Sequence, residues 1–387
     1  MPGNVLINSP EIGSDSGEGI TAAARLRKES LKLIVRGACL DEAQKIMVRA
    51  PNWIGDAVMA LPALEALRAR FPEAELVVVS KPWVSELYGQ HPAVSRQIVY
   101  DREGQHKGST GFWKLVQTLR QEHFDAAILF QNAFHAAWMA WCARVPIRVG
   151  YARDGRSRLL TEALEVPPAA AYRHHAYYYL QLLFRAGITD RSEAIQGVRL
   201  VLDKAEQKWA RERLQSLGLD GLRFLVGIHP GASFGPAKRW LPERFAELAD
   251  RLVEALHADI LIFGSAAEQP LAEEIADEME HVPTILAGET TLRQLMALFA
   301  QCRLIVTNDS GPMHVAAGLG VPQIAIFGST NERVTGPLSA RARVVKREVP
   351  CSPCGLRECP IDFRCMTGLS VDQVYRATLE VVKQAEV

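Results

Sequence analysis

The chain has 387 residues, of which 48% are apolar and 23% are charged. This length exceeds what one hydrophobic core usually supports, so we expect two domains of ordinary size. The 44 basic residues balance the 44 acidic ones, which gives no support to a general nucleic-acid binder. No apolar run reaches the roughly 18 residues that span a bilayer, and no basic region with an apolar signal core opens the chain. We therefore expect a cytoplasmic protein.

Residues 1–45 are predicted to be an N-terminal extension that is partly disordered. Its beginning, MPGNVLINSPEIGSDSGEGI, is rich in Gly, Ser and Pro, a composition typical of disordered segments. The following stretch, ITAAARLRKESLKLIVRGACLDEAQ, predicts one or two helices before the first strand. Neither part indicates a function.

From residue 46, short apolar runs alternate with longer amphipathic ones, a pattern typical of strands and helices around a parallel sheet. The predicted strands of residues 46–190 are KIMVRAP, ELVVVS, DAAILF and IRVGY. The predicted helices are DAVMALPALEALRARF, GFWKLVQTLRQEH, FHAAWMAWCAR and YRHHAYYYLQLLFRAG. These residues are expected to form one layered domain.

Residues 191–387 repeat this alternation. The predicted strands are FLVGIHP, ADILIFGS, TILAG, RLIVTN and PQIAIFG, and amphipathic helices separate them, with a last helix in SVDQVYRATLEVVKQAEV. The fold class that follows is α/β, with two doubly wound, Rossmann-like domains facing one another. A ligand is expected in the cleft, where strand ends and helix starts converge.

The first loop in such a position is APNWIGDAVMALPAL, in which Gly55 and Asp56 open a helix. An aspartate in a first helical turn is often only a cap or a partner of the helix dipole. Asp56 is therefore either a reactive carboxylate or an ordinary first-turn residue, and this loop alone does not decide between them.

The second loop, HPGASFGPAKRWLPERF, combines glycine, proline and one cation. Gly231, Gly235 and Pro236 keep a helix from forming early, Ser233 offers donors, and Lys238 brings a positive charge. A glycine-rich loop with one lysine suits a phosphate, although the spacing is not that of a Walker P-loop. The alternative is a solvated lysine on an ordinary surface loop.

The third loop lies in NDSGPMHVAAGLG. The strand before it delivers Asp309, Ser310 and Gly311 to the start of a short helix, and the free amides up to Met313 could hold a diphosphate. The alternative is that Asp309 merely caps this helix. In the fourth loop, FGSAAEQP, Glu268 could accept hydrogen bonds from a base or a ribose, or be an ordinary first-turn carboxylate.

Two common sequence motifs are missing from the printed sequence. There is no dinucleotide glycine fingerprint with a later acidic partner, and no HExxH metal pair. These absences argue against a nicotinamide dehydrogenase and against a metal hydrolase of that type.

Four of the seven cysteines fall within CSPCGLRECPIDFRC: Cys351, Cys354, Cys359 and Cys365. In a cytoplasmic protein, four close thiols more often indicate a structural metal than disulfides. The spacing differs from a pair of zinc knuckles, and an iron–sulfur cluster, reduced thiols and a disulfide all stay open.

Taken together, three stretches resemble one family: RAPNWIGDAVMALPAL, HPGASFGPAKRW and VTNDSGPMHVAAGLGVPQIAIFGST. Their order and separation are similar to those of the ADP-heptose:lipopolysaccharide heptosyltransferases of glycosyltransferase family 9, and within them to the type II enzymes. The resemblance extends from residue 46 to about residue 385. It implies the GT-B architecture, with an acceptor-binding domain over 46–190 and an ADP-sugar-binding domain over 191–387.

The resemblance also implies the activity. Such enzymes move L-glycero-D-manno-heptose from ADP-heptose to a heptose of the lipopolysaccharide inner core, with inversion and without a metal or other cofactor. They work in the cytoplasm, peripheral to the inner face of the inner membrane. By resemblance, Asp56 becomes the general base. The residues implied at the donor are Ser233, Lys238, Glu268, Asp309, Ser310, Gly311 and Met313.

An acceptor that carries acidic sugars and phosphates would need cations in the first domain. The stretch ARVPIRVGYARDGRSRLL has five arginines against one acid, and Arg148, Arg153 and Arg156 are the acceptor contacts that we predict. Arginine suits such groups because its fork pairs two oxygens at once. The alternative is a solvated basic loop.

Three other functions stay open on sequence grounds. One is heptosyl transfer to a different acceptor, such as another core position or a protein. Another is a nucleotide-sugar epimerase of the same fold, which would need acid and base residues around the donor sugar and no acceptor. The third is a nucleotide-sugar-binding protein without catalysis.

Overall fold

The computed structural model describes residues 34–35, 38–168, 173–190, 195, 197–219 and 223–385. The predictions for residues 1–33 lie outside this part of the chain. Two short strands open the described residues and pair antiparallel, namely β1 (Ile34–Val35) and β2 (Ala38–Cys39). The prediction of helix is wrong for these four residues, which pair as strands.

The first large sheet has six parallel strands in the spatial order β5-β4-β3-β6-β7-β8. These strands are β3 (Lys45–Arg49), β4 (Glu75–Ser80), β5 (Arg96–Val99), β6 (Ala126–Leu129), β7 (Ile147–Tyr151) and β8 (Glu162–Leu164). Its helices are α1 (Ile54–Met59), α2 (Leu61–Arg70), α3 (Pro82–Ser85), α4 (Gly108–Gln121), α5 (Phe134–Cys142) and α6 (His175–Arg185).

The second large sheet also has six parallel strands, in the order β11-β10-β9-β12-β13-β14. These are β9 (Phe224–His229), β10 (Ala258–Ile262), β11 (Thr284–Ile285), β12 (Leu304–Asn308), β13 (Gln323–Phe327) and β14 (Ala342–Lys346). Helix α7 (Lys204–Ser216) precedes this sheet. The remaining helices are α8 (Pro242–Leu256), α9 (Gln269–Glu278), α10 (Leu292–Phe299), α11 (Gly311–Leu319), α12 (Glu332–Thr335), α13 (Arg364–Thr367) and α14 (Val371–Ala385).

Each sheet repeats one topology. Counted along its own half, the strand order is 3-2-1-4-5-6, so the predicted α/β class with two doubly wound sheets is confirmed. In this topology the connections change direction between the first and fourth strands, and ligands bind beyond their carboxyl ends. The two switch points are therefore β3/β6 and β9/β12.

Differences from the predicted elements have local causes. The single helix predicted from residue 56 to 71 is divided into α1 and α2 at Ala60, and Pro62 occupies the first turn of α2, where its missing N–H costs nothing. The strands β5, β8 and β14 were not predicted. They are short or half-buried, so they lack the continuous apolar run of a central parallel strand.

Central strands carry the core. Ile46 and Val48 of β3 are buried beneath α1 and α2, and Val226 and Ile228 of β9 are buried in the second half. Among the helices that the structure describes, none combines the length and the apolarity that crossing a membrane requires.

Candidate active site

The two switch points meet where α1 and α11 pack against each other. A Cβ atom on Gly55 would lie 2.8 Å from Cδ2 of His314, and one on Gly311 would lie 3.1 Å from Cβ of Ile54. The first distance is shorter than packed atoms adopt and the second is tighter than ordinary contact, so glycine at both positions lets the helix starts approach closely. This contact brings the loops after β3 and β12, from different sheets, to a single place.

Asp56 lies at this place, in the first turn of α1. Among the described residues, its carboxylate accepts no backbone hydrogen bond at the helix start, and its side chain is 30% exposed. Burial raises the pKa of Asp56, and the nearby charges of His175 and Lys238 oppose that rise. The carboxylate therefore faces the junction, and the structure does not use it as a helix cap.

His175 is the titratable neighbour of Asp56, and sequence reasoning missed it. Burial lowers the pKa of His175, and the charge of Asp56 opposes that lowering. Its Nε2 lies 3.7 Å from Oδ1 of Asp56, and its ring stacks on Tyr178 at 5.1 Å between centroids. The preceding His174 caps α6 through the amide of Ala176 and meets the carbonyl of Gly336 in the second half at 2.8 Å. The paired histidines before an apolar helix were the available sequence signal.

Lys238 and Asp309 form a buried ion pair on the opposite wall. Lys238 Nζ lies 2.6 Å from Asp309 Oδ2, with side-chain exposures of 11% and 3%. The hydroxyl of Thr330 donates to the same oxygen, and the ammonium lies 4.7 Å from the ring centre of Phe234. Lys238 is thus not a solvated surface lysine, and Asp309 holds it instead of capping α11.

Asn308, the last residue of β12, fixes the loop between β9 and α8 that carries Lys238, which we call the lysine loop. Its Nδ2 donates to the carbonyl of Pro230 at 2.6 Å, and its Oδ1 accepts from the amide of Trp240 at 3.1 Å. One buried amide therefore holds both ends of the loop between β9 and α8. The position gave no sequence signal, because its partners are remote in the chain.

The other predicted donor residues differ in what they expose. Ser233 is exposed on the lysine loop, whereas the side chain of Met313 is fully buried, so only its backbone amide can serve a ligand. Ser310 and Gly311 open α11, and no side chain caps that helix start. The free amides at the start of α11 can therefore donate hydrogen bonds to a bound anion.

Glu268 lies under the lysine loop. Its Oε2 accepts from the amide and the hydroxyl of Ser265, both at 2.9 Å, as a capping box does. A Cβ atom on Gly231 would lie 1.9 Å from its Oε1. Burial opposes its ionisation, but His229 and Ser265 outweigh burial and lower the pKa of Glu268. One oxygen of this carboxylate caps the turn before α9, so its predicted contact with a ribose stays a prediction.

The predicted acceptor arginines are mostly committed to the fold. Arg156 is fully buried and donates to the carbonyls of Tyr151 and Gln131. Arg148 donates to the carbonyl of Leu159 at 2.6 Å and to the chain before β7. Both satisfy carbonyls that irregular loops leave unpaired. Of the three, only Arg153 is exposed. It is therefore the one arginine that we keep as a predicted contact with the acceptor.

The cysteine segment supports the lysine loop. Cys351 and Cys354 are exposed and Cys365 is buried, all as free thiols. Among the described residues, no group of three or more His, Cys, Asp or Glu is arranged to hold a metal ion, and the metal interpretation of this segment stays a prediction. The carbonyl of Arg357 accepts from the amide of Ala237 at 3.0 Å.

The arrangement has two chemically distinct walls. One presents a carboxylate beside a histidine, and the other presents a lysine and the amide-rich start of α11. A carboxylate can take a proton, and the opposite wall can stabilise developing negative charge. Two facing doubly wound sheets with a site between them are the architecture of the GT-B glycosyltransferases.

Comparison with known proteins agrees with that class. The family model of glycosyltransferase family 9 (heptosyltransferase) matches residues 112–363. Lipopolysaccharide heptosyltransferase 2 of Escherichia coli is 33% identical over 310 residues, which cover 78% of this chain and 88% of that protein. Lipooligosaccharide heptosyltransferase 2 of Haemophilus influenzae is 31% identical over 309 residues, with the same coverage.

Solved structures give the same result. ADP-heptose lipopolysaccharide heptosyltransferase II of Escherichia coli superposes with a TM-score of 0.75 at 30% identity, covering 89% of this chain and all of that one. A family 9 glycosyltransferase of Veillonella parvula gives a TM-score of 0.78 at 25% identity, covering 90% and 99%. The chain belongs to glycosyltransferase family 9, the heptosyltransferases.

Proposed function

We propose that this chain transfers L-glycero-D-manno-heptose from ADP-heptose to an inner-core heptose of lipopolysaccharide. The observation that carries the proposal is the junction itself, where the carboxylate of Asp56 faces the wall formed by Lys238 and the start of α11. Relatives named lipopolysaccharide heptosyltransferase 2 support the choice of donor and acceptor.

In the proposed step, an acceptor hydroxyl attacks the anomeric carbon of the donor heptose from the side opposite ADP. A bond forms between the hydroxyl oxygen and that carbon, and the bond from the carbon to the phosphate oxygen breaks. The electron pair leaves with ADP, and Asp56 takes the hydroxyl proton. Attack from the opposite side inverts the anomeric centre, and a placed base of this kind typically contributes about 10²- to 10⁴-fold.

The leaving diphosphate needs positive partners, and in this proposal the protein supplies them without a metal. Lys238 and the amides from Ser310 to Met313 stabilise the charge that grows on ADP. Asp309 positions the ammonium of Lys238 through Oδ2. Its second oxygen, Oδ1, is then available to the hydroxyl groups of the heptose.

The two halves divide the substrates in this proposal. Residues 46–190 bind the acceptor and residues 191–387 bind ADP-heptose, with the boundary between α6 and α7. Arg153 and Glu268 contact the acceptor and the donor nucleoside, respectively. Since the acceptor is anchored in lipid, the enzyme works at the inner face of the inner membrane as a peripheral protein.

The test compares Asp56→Asn with Lys238→Met in donor binding and in turnover. Asp56→Asn is expected to bind ADP-heptose normally and to lose about 10²-fold or more in kcat, because only proton transfer is removed. Lys238→Met is expected to weaken both donor binding and kcat. Unchanged kcat in Asp56→Asn would remove the base from the proposal, and unchanged kinetics in Lys238→Met would remove the lysine.

Two further arms separate the alternatives. Incubating the enzyme with ADP-heptose alone tests the epimerase, because an altered nucleotide sugar formed without an acceptor would favour it over transfer. Repeating the transfer in excess EDTA is expected to leave the rate unchanged. A rate that is lost in EDTA and restored by a divalent cation would contradict the metal-independent step.

A further inference from the structure

The first half carries a continuous aromatic surface that the proposed reaction does not use. Phe134, Trp138 and Trp141 follow one another at i, i+4 and i+7 along α5, so they share one face of that helix. Trp113 of α4 lies 6.5 Å from Trp138, ring edge to ring face. We call these four residues the aromatic face.

Most of this face is exposed to solvent. Trp113, Phe134 and Trp141 are 48%, 47% and 52% exposed, while the half-buried Trp138 joins them by stacking on Phe112 at 4.3 Å. Helix α5 contains no charged residue. Large apolar side chains grouped in this way on a surface mark a place where another apolar phase or molecule binds.

Exposed cations lie on the two helices of the aromatic face and in the turns next to them. Lys107 and Lys114 lie at the start and within α4, Arg144 follows α5, and Arg158 lies in the 3-10 turn that contacts α5. All four are exposed, and none pairs with a carboxylate among the residues that the structure describes. The rim of the face is therefore cationic.

Few acids offset this charge. Glu122 and Asp125 end the segment between α4 and β6, but they bond to the side chain and the amide of Lys45 at the amino edge of the sheet. Glu103 and Asp154 each directly follow an exposed arginine in the loops beside the helices. The surface as a whole thus complements a negatively charged partner.

One end of the aromatic face lies at the same edge of the sheet as the site. Strands β3 and β6 are hydrogen-bonded neighbours, and α1 with Asp56 follows β3 just as α5 with Phe134 follows β6. Both helices therefore begin at the carboxyl edge of the sheet, but they pack on opposite faces, α1 with Ile46 and Val48 and α5 with Met47. A phase bound to the aromatic face would lie on the same half of the molecule as the proposed base, across the sheet from α1.

We propose that the aromatic face docks this enzyme on an anionic phospholipid bilayer. Tryptophan favours the boundary between headgroups and acyl chains, and the cationic rim pairs with lipid phosphates. No membrane-spanning helix is needed, because several aromatic side chains and cations together give reversible binding. The inference rests on the proposed function in one respect, namely that the acceptor is anchored in such a bilayer.

The test uses the full chain with vesicles of phosphatidylethanolamine and phosphatidylglycerol, and with phosphatidylcholine vesicles. The double variant Trp113→Ser/Trp141→Ser is expected to bind the anionic vesicles roughly tenfold more weakly in flotation, because two interfacial anchors are lost. Trp113→Phe/Trp141→Phe is expected to retain most binding. Lys107→Gln/Lys114→Gln is expected to weaken binding to the anionic vesicles only.

Turnover separates this inference from the proposed function. With an acceptor embedded in vesicles the double serine variant is expected to lose kcat/KM, and with the same sugar freed of its lipid it is expected to match the unaltered enzyme. Loss of turnover on both acceptors would show that the two tryptophans act in the transfer step itself, and it would contradict a role limited to docking. Val282→Ser, which removes a 99% exposed apolar side chain from the second half, is the matched control.

Two results would overturn the docking surface. One is unaltered vesicle binding by Trp113→Ser/Trp141→Ser while its circular dichroism and thermal midpoint match those of the control. The other is an assembly of several chains in sedimentation that the same double variant dissolves, with vesicle binding unchanged, because the face would then join copies of this chain.

Discussion

At the scale of single residues, Asp56 shows how a neighbouring side chain determines the chemical role of a carboxylate. Its place in a first helical turn fits a cap, but its nearest titratable partner is His175, which comes from a helix more than a hundred residues later. A carboxylate beside an imidazole in a partly buried junction is a common arrangement for proton transfer. The pair also predicts a dependence on pH.

His175→Gln is expected to shift the acid limb of the kcat/KM profile to higher pH. The charge of His175 lowers the pKa of Asp56 against the effect of burial, so its removal lets that pKa rise. A base must be deprotonated to act, and activity therefore disappears at a higher pH as the solution is acidified. The measurement is the pH profile of transfer with a water-soluble acceptor.

His281→Gln is the matched control for this profile, since His281 forms the same kind of pair with Asp250 at 3.0 Å, far from the junction. An acid limb that stays in place in His175→Gln, or that moves to lower pH, would show that His175 does not tune the carboxylate.

At the scale of elements, the contact of α1 with α11 and the support of the lysine loop position the site. The cysteine segment supports the lysine loop, because Nε of Arg357 donates to the carbonyl of Phe234 at 2.6 Å. The amide of Gly355 also donates to the carbonyl of Ser329, at 2.7 Å. The role of the cysteine segment here is mechanical. The helix contact gives the sharper prediction.

Gly55→Ala is expected to destabilise the protein by about 1–3 kcal/mol and to lower kcat/KM. Alanine is the better helix former, but its Cβ would lie 2.8 Å from the ring of His314 and would push the helix starts apart. The measurements are urea denaturation and transfer kinetics.

Gly89→Ala, whose added Cβ would come no closer than 3.8 Å to Glu86, is expected to have little effect on either measurement. A gain in stability for Gly55→Ala, with unaltered kinetics, would mean that the contact between α1 and α11 yields easily.

At the scale of the whole molecule, Arg293 joins three parts of the chain. Its amide donates to Glu86 of the first half at 2.9 Å, and its guanidinium pairs with Glu206 of α7 and donates to the carbonyl of Val201 at 2.9 Å. The start of α10 is thus bonded both to the first half and to the segment that connects the halves. Such a network restricts how the two sheets can move relative to one another.

Arg293→Met is expected to lower the free energy of unfolding by about 1–3 kcal/mol, because the carboxylate of Glu206 loses a charge-assisted partner and the carbonyl of Val201 loses a donor. Arg213→Met removes a more exposed pair, with Glu289, and is expected to cost about 0–1 kcal/mol. Equal urea midpoints for the two variants would contradict a structural role for the network.

The sequence by itself determined the alternation of strands and helices, the two doubly wound sheets and the loops in which the site lies. These features depend on local patterns, since a buried parallel strand is a continuous apolar run and a helix start needs its own capping or glycine residues. The half-buried edge strand β8 and the division of α1 from α2 were not predicted, because their sequence patterns are weak.

Only the tertiary structure decided which side chains meet. It paired Lys238 with Asp309, placed His175 beside Asp56 and turned Arg148 and Arg156 inward to bond carbonyls. It also gathered Trp113 and Trp141 from separate helices onto one surface. Each of these contacts joins residues whose distance in space is set by sheet order and helix packing, and no local pattern carries that information.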